Sequence, residues 1–382
     1  MKLFQKLIVA PAALGFLIPS AAFAEEIKLA DVSNYSSSKE VKSISVFDPA
    51  EELAVTNSRI DGLEAKFNDY EAGSFSETTV MSGTAGFLIG ATESATPAND
   101  KVMMEYFYEV DLNTSFTGED KLNIEIETGN ASGVGVGADK VGLDWGAGNG
   151  DDLKVSDINY TFPLGEWKVA VGDSMDASKT WPNACSMNNM VDNLGDCGAA
   201  NSVDLSGDQS LSAGRSLGDG WEVGLGISAN DGETSKGMFT EEGDDYYGVA
   251  LGYETENYGF TVAYSDKDTA TYTGLTAFYS PESTPVTLSG GYELTSPEAS
   301  GSKDKSQWAL GFSTEVGEGT LSLNAGTNGP IVDDAEEIYA YDISYDYPIN
   351  DSMSITPFVY IAETVSGTDD TTGAGASVSF SF

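Results

Sequence analysis

The side chains able to do chemistry in this chain are almost all carboxylates. Asp and Glu number 61 against 18 Lys and Arg, and histidine is absent, for a formal net charge of -43. Without imidazole there is no Ser-His-Asp or Cys-His activation, no imidazole metal site and no ordinary proton shuttle near neutral pH, which argues against a conventional enzyme. Nucleic acid is excluded as a partner: phosphate contacts need clustered cations, and only Arg59 and Arg215 carry guanidinium groups. Gly133-Val134-Gly135-Val136-Gly137-Ala138 matches G-x-G-x-x-A, but no helix follows it, so no dinucleotide and no other cofactor is expected. Carboxylates in such number can act on ions through space or as oxygen ligands. The clusters Asp231/Glu233, Asp244/Asp245, Asp333/Asp334/Glu336/Glu337 and Asp369/Asp370 could bind divalent cations loosely, and solvated loop charge is the simpler reading of them. No dedicated metal site is assigned.

The elements that must position these acids begin with a leader. Met1 to Ala24 has Lys2 and Lys6, an apolar stretch from Leu7 to Pro19, and Ala22-Phe23-Ala24 before a cleavage point, as in a secretory signal. Export places Cys185 and Cys197 in an oxidising compartment, where a disulfide closing a short loop is expected, worth about 3 kcal/mol. After a 25–47 linker, Asp48-Pro49-Ala50-Glu51 starts a helix and Gly73 stops it. Leu53, Thr56, Ile60, Leu63, Phe67 and Tyr70 fall at a/d heptad positions, which predicts a short coiled coil over 48–73, with a helix docked on its own domain as the alternative.

Beyond it the pattern changes period. Tyr339, Tyr341, Ile343, Tyr345 and Tyr347 alternate with Ala340, Asp342, Ser344 and Asp346, and Trp221 to Ser228 alternates in the same way. Strands are predicted near 76–91, 101–115, 120–128, 152–162, 164–173, 208–216, 221–230, 245–254, 257–266, 271–280, 285–294, 305–315, 319–327, 338–347, 352–361 and 372–382. Short turns follow the even strands and mostly long connections follow the odd ones. The fold class is therefore all-β: a transmembrane antiparallel barrel of about 16 strands over 74–382, preceded by a short periplasmic coiled-coil helix. Two places fit badly, Pro357 inside a strand and the weakly alternating 208–216. If the apolar faces meet lipid, Glu125, Glu127, Lys168, Glu222, Glu254, Asp342 and Asp346 line the interior and favour cations. The longest connection, 174–207, is the candidate constriction loop, with Asp176, Lys179, Trp181, Asp192 and Asp196 as its candidates; lying over the barrel top is the alternative.

Ile60-Asp61-Gly62-Leu63-Glu64-Ala65, the run Glu71 to Thr79, Tyr160-Thr161-Phe162-Pro163-Leu164-Gly165 and Val171-Gly172-Asp173 before a Cys-containing loop together resemble the cyanobacterial Som-type outer-membrane porins. That family is grouped with carbohydrate-selective porins and is sometimes labelled iron-uptake porins. The resemblance covers most of the chain after the leader. It implies an outer-membrane channel for small hydrophilic solutes such as ions, sugars or inorganic iron, a homotrimer in outer-membrane lipid, and a periplasmic N-terminal region. Leu29-Ala30-Asp31-Val32-Ser33 resembles the opening of an S-layer-homology segment, which implies contact with peptidoglycan or another wall polymer, but the remainder of that module is missing. Ser377 to Phe382 is similar to the terminal aromatic signal read by barrel-assembly machinery. The competing functions are a structural tether between outer membrane and wall, and a soluble acidic protein built of sandwiches.

Overall fold

The computed structural model describes residues 78–93, 101–130, 150–365 and 370–382. The expected leader, 25–47 linker and 48–73 coiled-coil helix, the Gly133 to Ala138 motif and Asp369 lie outside the described residues. The strands are β1 (Thr79–Glu93), β2 (Met103–Thr114), β3 (Lys121–Gly129), β4 (Lys154–Leu164), β5 (Trp167–Asp173), β6 (Gln209–Gly218), β7 (Trp221–Ala229), β8 (Asp245–Glu254) and β9 (Tyr258–Asp266). They continue as β10 (Ala270–Tyr279), β11 (Val286–Pro297), β12 (Lys305–Val316), β13 (Gly319–Thr327), β14 (Ile331–Val332), β15 (Tyr339–Asn350), β16 (Met353–Ala362) and β17 (Thr371–Ser381). Each long strand pairs antiparallel with its sequence neighbours, and β17 returns to β1 with a register running from Thr84↔Ser381 to Glu93↔Thr372. The sheet is thereby closed into a barrel of sixteen strands, the number expected. β14 is the addition: two residues laid against the loop end of β12, with Lys305 opposite Val332, too short to show any period in sequence.

The faces are arranged the opposite way from a soluble protein. Leu225, Leu251, Val262, Leu275, Leu310 and Ile343 are exposed on the outside, while Ala250, Ala263, Ser228, Ser265, Ser344 and Asn324 are buried on the inside. That inversion suits lipid outside and polar contents within. Aromatic rings mark both ends of the wall. At the end with short turns, Trp221, Tyr253, Tyr258 and Phe260 pack together, as do Tyr160 and Phe162. At the end with long loops stand Trp308, Tyr339 and Tyr341. Rings with a polar tip belong at such interfaces.

Both awkward sequence positions have a local solution. The β15–β16 ladder passes from Ser344↔Phe358 to Tyr347↔Ile355 and leaves out Pro357, so its missing N–H falls in a gap on the β15 side while it keeps its place opposite Ala376 of β17. Across the same gap Thr356 Oγ1 donates to Asp346 Oδ1 at 2.7 Å. β6 alternates weakly because its inner residues are Ser210, Ser212 and Gly214, chosen for what packs over them, while Leu211 and Leu217 face outward.

The 115–120 turn is organised by one carboxylate. Asp120 Oδ1 accepts from the Ser115 hydroxyl, the Phe116 N–H and both the N–H and hydroxyl of Thr117, and Oδ2 accepts from the Tyr160 hydroxyl at 2.6 Å. The Tyr160 hydroxyl first, then the Thr117 and Ser115 donors, hold this carboxyl far below the ordinary carboxylate range, against a smaller upward push from burial. A depressed folded pKa stabilises the folded state above the unfolded value near 4, and the effect is lost only as pH falls through the depressed value. Asp120→Asn is therefore expected to lower the temperature at which the barrel loses its cold-detergent gel shift, by a similar amount at pH 5 and pH 8.

Candidate functional site: the barrel interior

The connection from β5 to β6 does not rise above the barrel; it turns inward and runs along the inner wall, out and back. On the outward limb Thr180 N donates to Ser212 of β6 (3.1 Å), Ala184 N to Thr261 of β9 (3.1 Å) and Ser186 N to Ser289 of β11 (2.9 Å). Asn188 O then accepts from Asn324 of β13 (2.7 Å), and Met190 N and Val191 N donate to Asp342 Oδ2 of β15 (3.0 and 3.3 Å). Met190, Val191 and Leu194 form an apolar cluster there with Leu88 of β1 and Phe358 and Tyr360 of β16. A 3-10 turn, Asp192–Gly198, reverses the path.

The return limb is fastened to the loop end of the wall. Glu293 of β11, 1% exposed, accepts from Asn201 N, Ser202 N and the Ser202 hydroxyl at 2.7 to 2.9 Å. Cys185 and Cys197 are disulfide-bonded at the point where both limbs meet the Ser289 hydroxyl. The bridge joins the two limbs of the loop to each other. Lys267, between β9 and β10, sits over the rings of Tyr246 and Tyr272 (5.7 and 5.6 Å) and donates to Asn201 Oδ1 and Ser206 Oγ. Burial lowers its pKa, partly opposed by Glu293 and the loop acids.

The opposite side of the interior carries acid. In the β2–β3 register Glu109 lies across from Glu127 and Asp111 across from Glu125. The carboxylates of Glu109, Glu125 and Glu127 lie within 4.8 Å of one another. Lys154 pairs with Glu127 at 2.8 Å, Ser156 Oγ donates to Glu125 at 2.7 Å, and Asn123 Nδ2 donates to Asp111 at 2.6 Å. Like charges directly opposite on a sheet are destabilising, so this pairing carries a folding cost. Three carboxylates this close attract a cation from water, and their oxygen donors suit a hard one.

The sequence-selected residues fall into three settings. Glu125 and Glu127 stand on this acidic wall, half-buried. Lys168, Glu222 and Glu254 are exposed near the turn end, in phase with the inner-face residues Ala170, Gly224 and Gly252. Asp346 is held by Thr356. Asp342 departs from the expectation of a water-facing acid: at 5% exposure it lies beneath the loop and holds two of its N–H groups. Within the loop, Asp176 is exposed, Lys179 reaches Asp157 of β4 at 2.9 Å, Trp181 lies flat on the wall, Asp192 is exposed and Asp196 accepts from Asn183. The alternative of a loop lying over the barrel top is thus replaced by one fastened inside. Partial desolvation by the packed loop around it, then Asp204 and Asp157, push the Asp176 carboxyl up to about 6 although its surface still meets water, with Lys179 and Lys267 opposing.

The outer acid clusters mostly bond locally: Asp231 to Lys236, Asp245 to Phe239 N and Asp370 to Thr364 N within their own loops, and Asp334 to Lys303 of the β11–β12 loop. Sequence reading passed over Glu109, Asp111, Asp157 and Glu293. All four lie on the polar phase of their strands, and that phase was the available signal.

A profile of Gram-negative porins matches residues 104–364. Solved structures with a similar fold include an anion-selective porin from Comamonas acidovorans, 13% identical, with TM-score 0.57 over 80% of this chain and 99% of that one. OprB of Pseudomonas putida at high pH is 9% identical, with TM-score 0.60 over 80% and 94%. A mutant porin of Rhodopseudomonas blastica is 12% identical, with TM-score 0.51 over 80% and 100%. An uncharacterized Nostoc protein is 32% identical over 136 residues, 32% of this chain, and the match spans only 24% of that relative's length. Closed sixteen-strand wall, inward loop and family profile agree, and the chain belongs to the Gram-negative porin family.

Proposed function

We propose that this protein is a water-filled channel of the outer membrane through which small hydrophilic solutes diffuse passively, with a preference for cations. The observation that carries this reading is the division of the interior. One side is covered by the fastened loop, and the other presents Glu109, Asp111, Glu125 and Glu127, where Lys154 pairs with Glu127 and Lys179 with the neighbouring Asp157. A passing ion crosses the field of that wall. Among the described residues the acids hold a loop or line a wall, which suits a passive channel.

In this reading the short turns and both termini face the periplasm and the long loops face outward. The junction residues from Ile60 to Thr79 and the partial match to a Nostoc protein support membership of the Som-type group. The heptads over 48–73 support a homotrimer held by a stalk, and the fragment Leu29 to Ser33 supports contact with wall polymer. Inorganic iron and sugars remain among the solutes proposed.

The test is the zero-current potential of the purified protein in a planar bilayer under a salt gradient. A unit charge about 4 Å from a passing ion in water is worth about 1 kcal/mol, or roughly fivefold in the ion's occupancy. Glu109→Gln with Glu125→Gln should therefore lower the cation-to-anion permeability ratio by roughly fivefold or more. Discrete steps with no change in the potential would remove the acidic wall from the selectivity, and folded protein without steps would favour the structural tether.

The raised pKa of Asp176 adds a pH dependence. Above about 6 the carboxyl is charged, and as pH falls through that value one negative charge leaves the interior. The permeability ratio should step down between pH 7.5 and pH 5, and Asp176→Asn should abolish that step.

A further inference from the structure

Part of the wall beneath the loop is bare glycine, flanked by the small side chains of Ala250 and Ala263 on which Trp181 also packs. The Trp181 indole covers Gly224 and Gly226 of β7 and Gly248 of β8. Gly226 and Gly248 are direct cross-strand partners, so the bare patch is continuous across two strands. A Cβ at Gly224 would stand 2.5 Å from Trp181 Cδ1, and one at Gly248 would stand 2.5 Å from Cη2, both far inside van der Waals contact. Pro182 fills the same role at Gly252, where a Cβ would meet its ring at 2.5 Å.

Glycine inside a strand weakens it, and here it recurs where one ring must approach the backbone. The seat works by shape. Trp181 Nε1 is buried without a hydrogen-bond partner, so no polar bond directs the ring to this place. The segment it seats carries Asp176 and Lys179, and Lys179 reaches across to Asp157. Both charges stand on the same short segment as the indole, which Thr180 also ties to Ser212.

We propose that Trp181 and the glycine bed of Gly224, Gly226 and Gly248 set the width of the channel, Trp181 acting as a positioning residue for the loop. The inference rests on the channel reading above. Filling the bed lifts the loop toward the channel axis and narrows the passage; removing the indole leaves the bed open to water and widens it. The two changes have opposite signs and offset one another when combined.

The experiment uses the full folded protein and measures single-channel conductance and the largest polyethylene glycol that enters the pore, with the gel shift on boiling as the folding control. Gly248→Val must open the 2.5 Å approach to a carbon contact distance of ~4 Å, a shift of the ring of roughly 1.5 Å, and should lower conductance roughly 1.5-fold with a smaller size limit. Trp181→Ala should raise both, and the double variant should return close to the unsubstituted protein. Gly224→Ala is the milder filling variant, should Gly248→Val fail to fold. Folded variants that leave conductance and size limit unchanged, or move them in the same direction, or combine additively without offset, would overturn the proposal. An unsubstituted protein that gives no steps would instead overturn the channel reading on which it rests.

Discussion

Everything in this molecule depends on the pairing of its last strand with its first. Ten register pairs between β1 and β17 convert an open sheet with two unsatisfied edges into a closed one. In hydrocarbon an unpaired N–H or C=O costs several kcal/mol with no water to relieve it, so closure is a condition of residence in a bilayer and not a refinement of it. The chain ends reinforce the seam. Gly83 and Phe382 exchange two backbone hydrogen bonds, at 2.9 and 3.1 Å, and the Phe382 ring stacks on Tyr108.

Closure creates an interior, and the interior is divided between two uses of the same residue type. Asp342 and Glu293 are nearly buried, and each accepts several N–H or O–H donors from the loop. A buried carboxylate is tolerated when it is so fully bonded, and leaving it unpaired would be costly. Glu109, Asp111, Glu125 and Glu127 hold few loop donors and keep their charge near the water. One sort of carboxylate fixes the narrow part and the other gives the field across it. The disulfide complements the first sort: it ties the two limbs of the loop at Ser289, while the acids tie each limb to the wall.

Much of the wall was legible because strand alternation in a barrel is a local property. Each residue faces lipid or interior according to its parity, so Tyr341 and Ile343 against Asp342 and Ser344 declare their faces without knowledge of any partner. Pro357 declared a gap in a ladder for the same reason: its missing donor is intrinsic. The weak alternation of β6 and the many glycines of β7 and β8 were harder to read. Their reason lies in a loop that packs on them from elsewhere in the chain, and small inner residues carry no periodic signature of what covers them.

The sequence by itself determined the fold class, the strand boundaries to within a few residues, the two faces of the wall and the inward phase of its charges, because these follow from local period and turn chemistry. Only the tertiary structure decided which inward acids are spent on holding the loop and which stay open, that Glu109 and Asp111 join Glu125 and Glu127, and that Trp181 rests on a bed of glycines. Those facts depend on the register between strands and on the path of the 174–207 loop across them. Both are set by contacts between residues far apart in the chain, and parity along one strand carries no record of them.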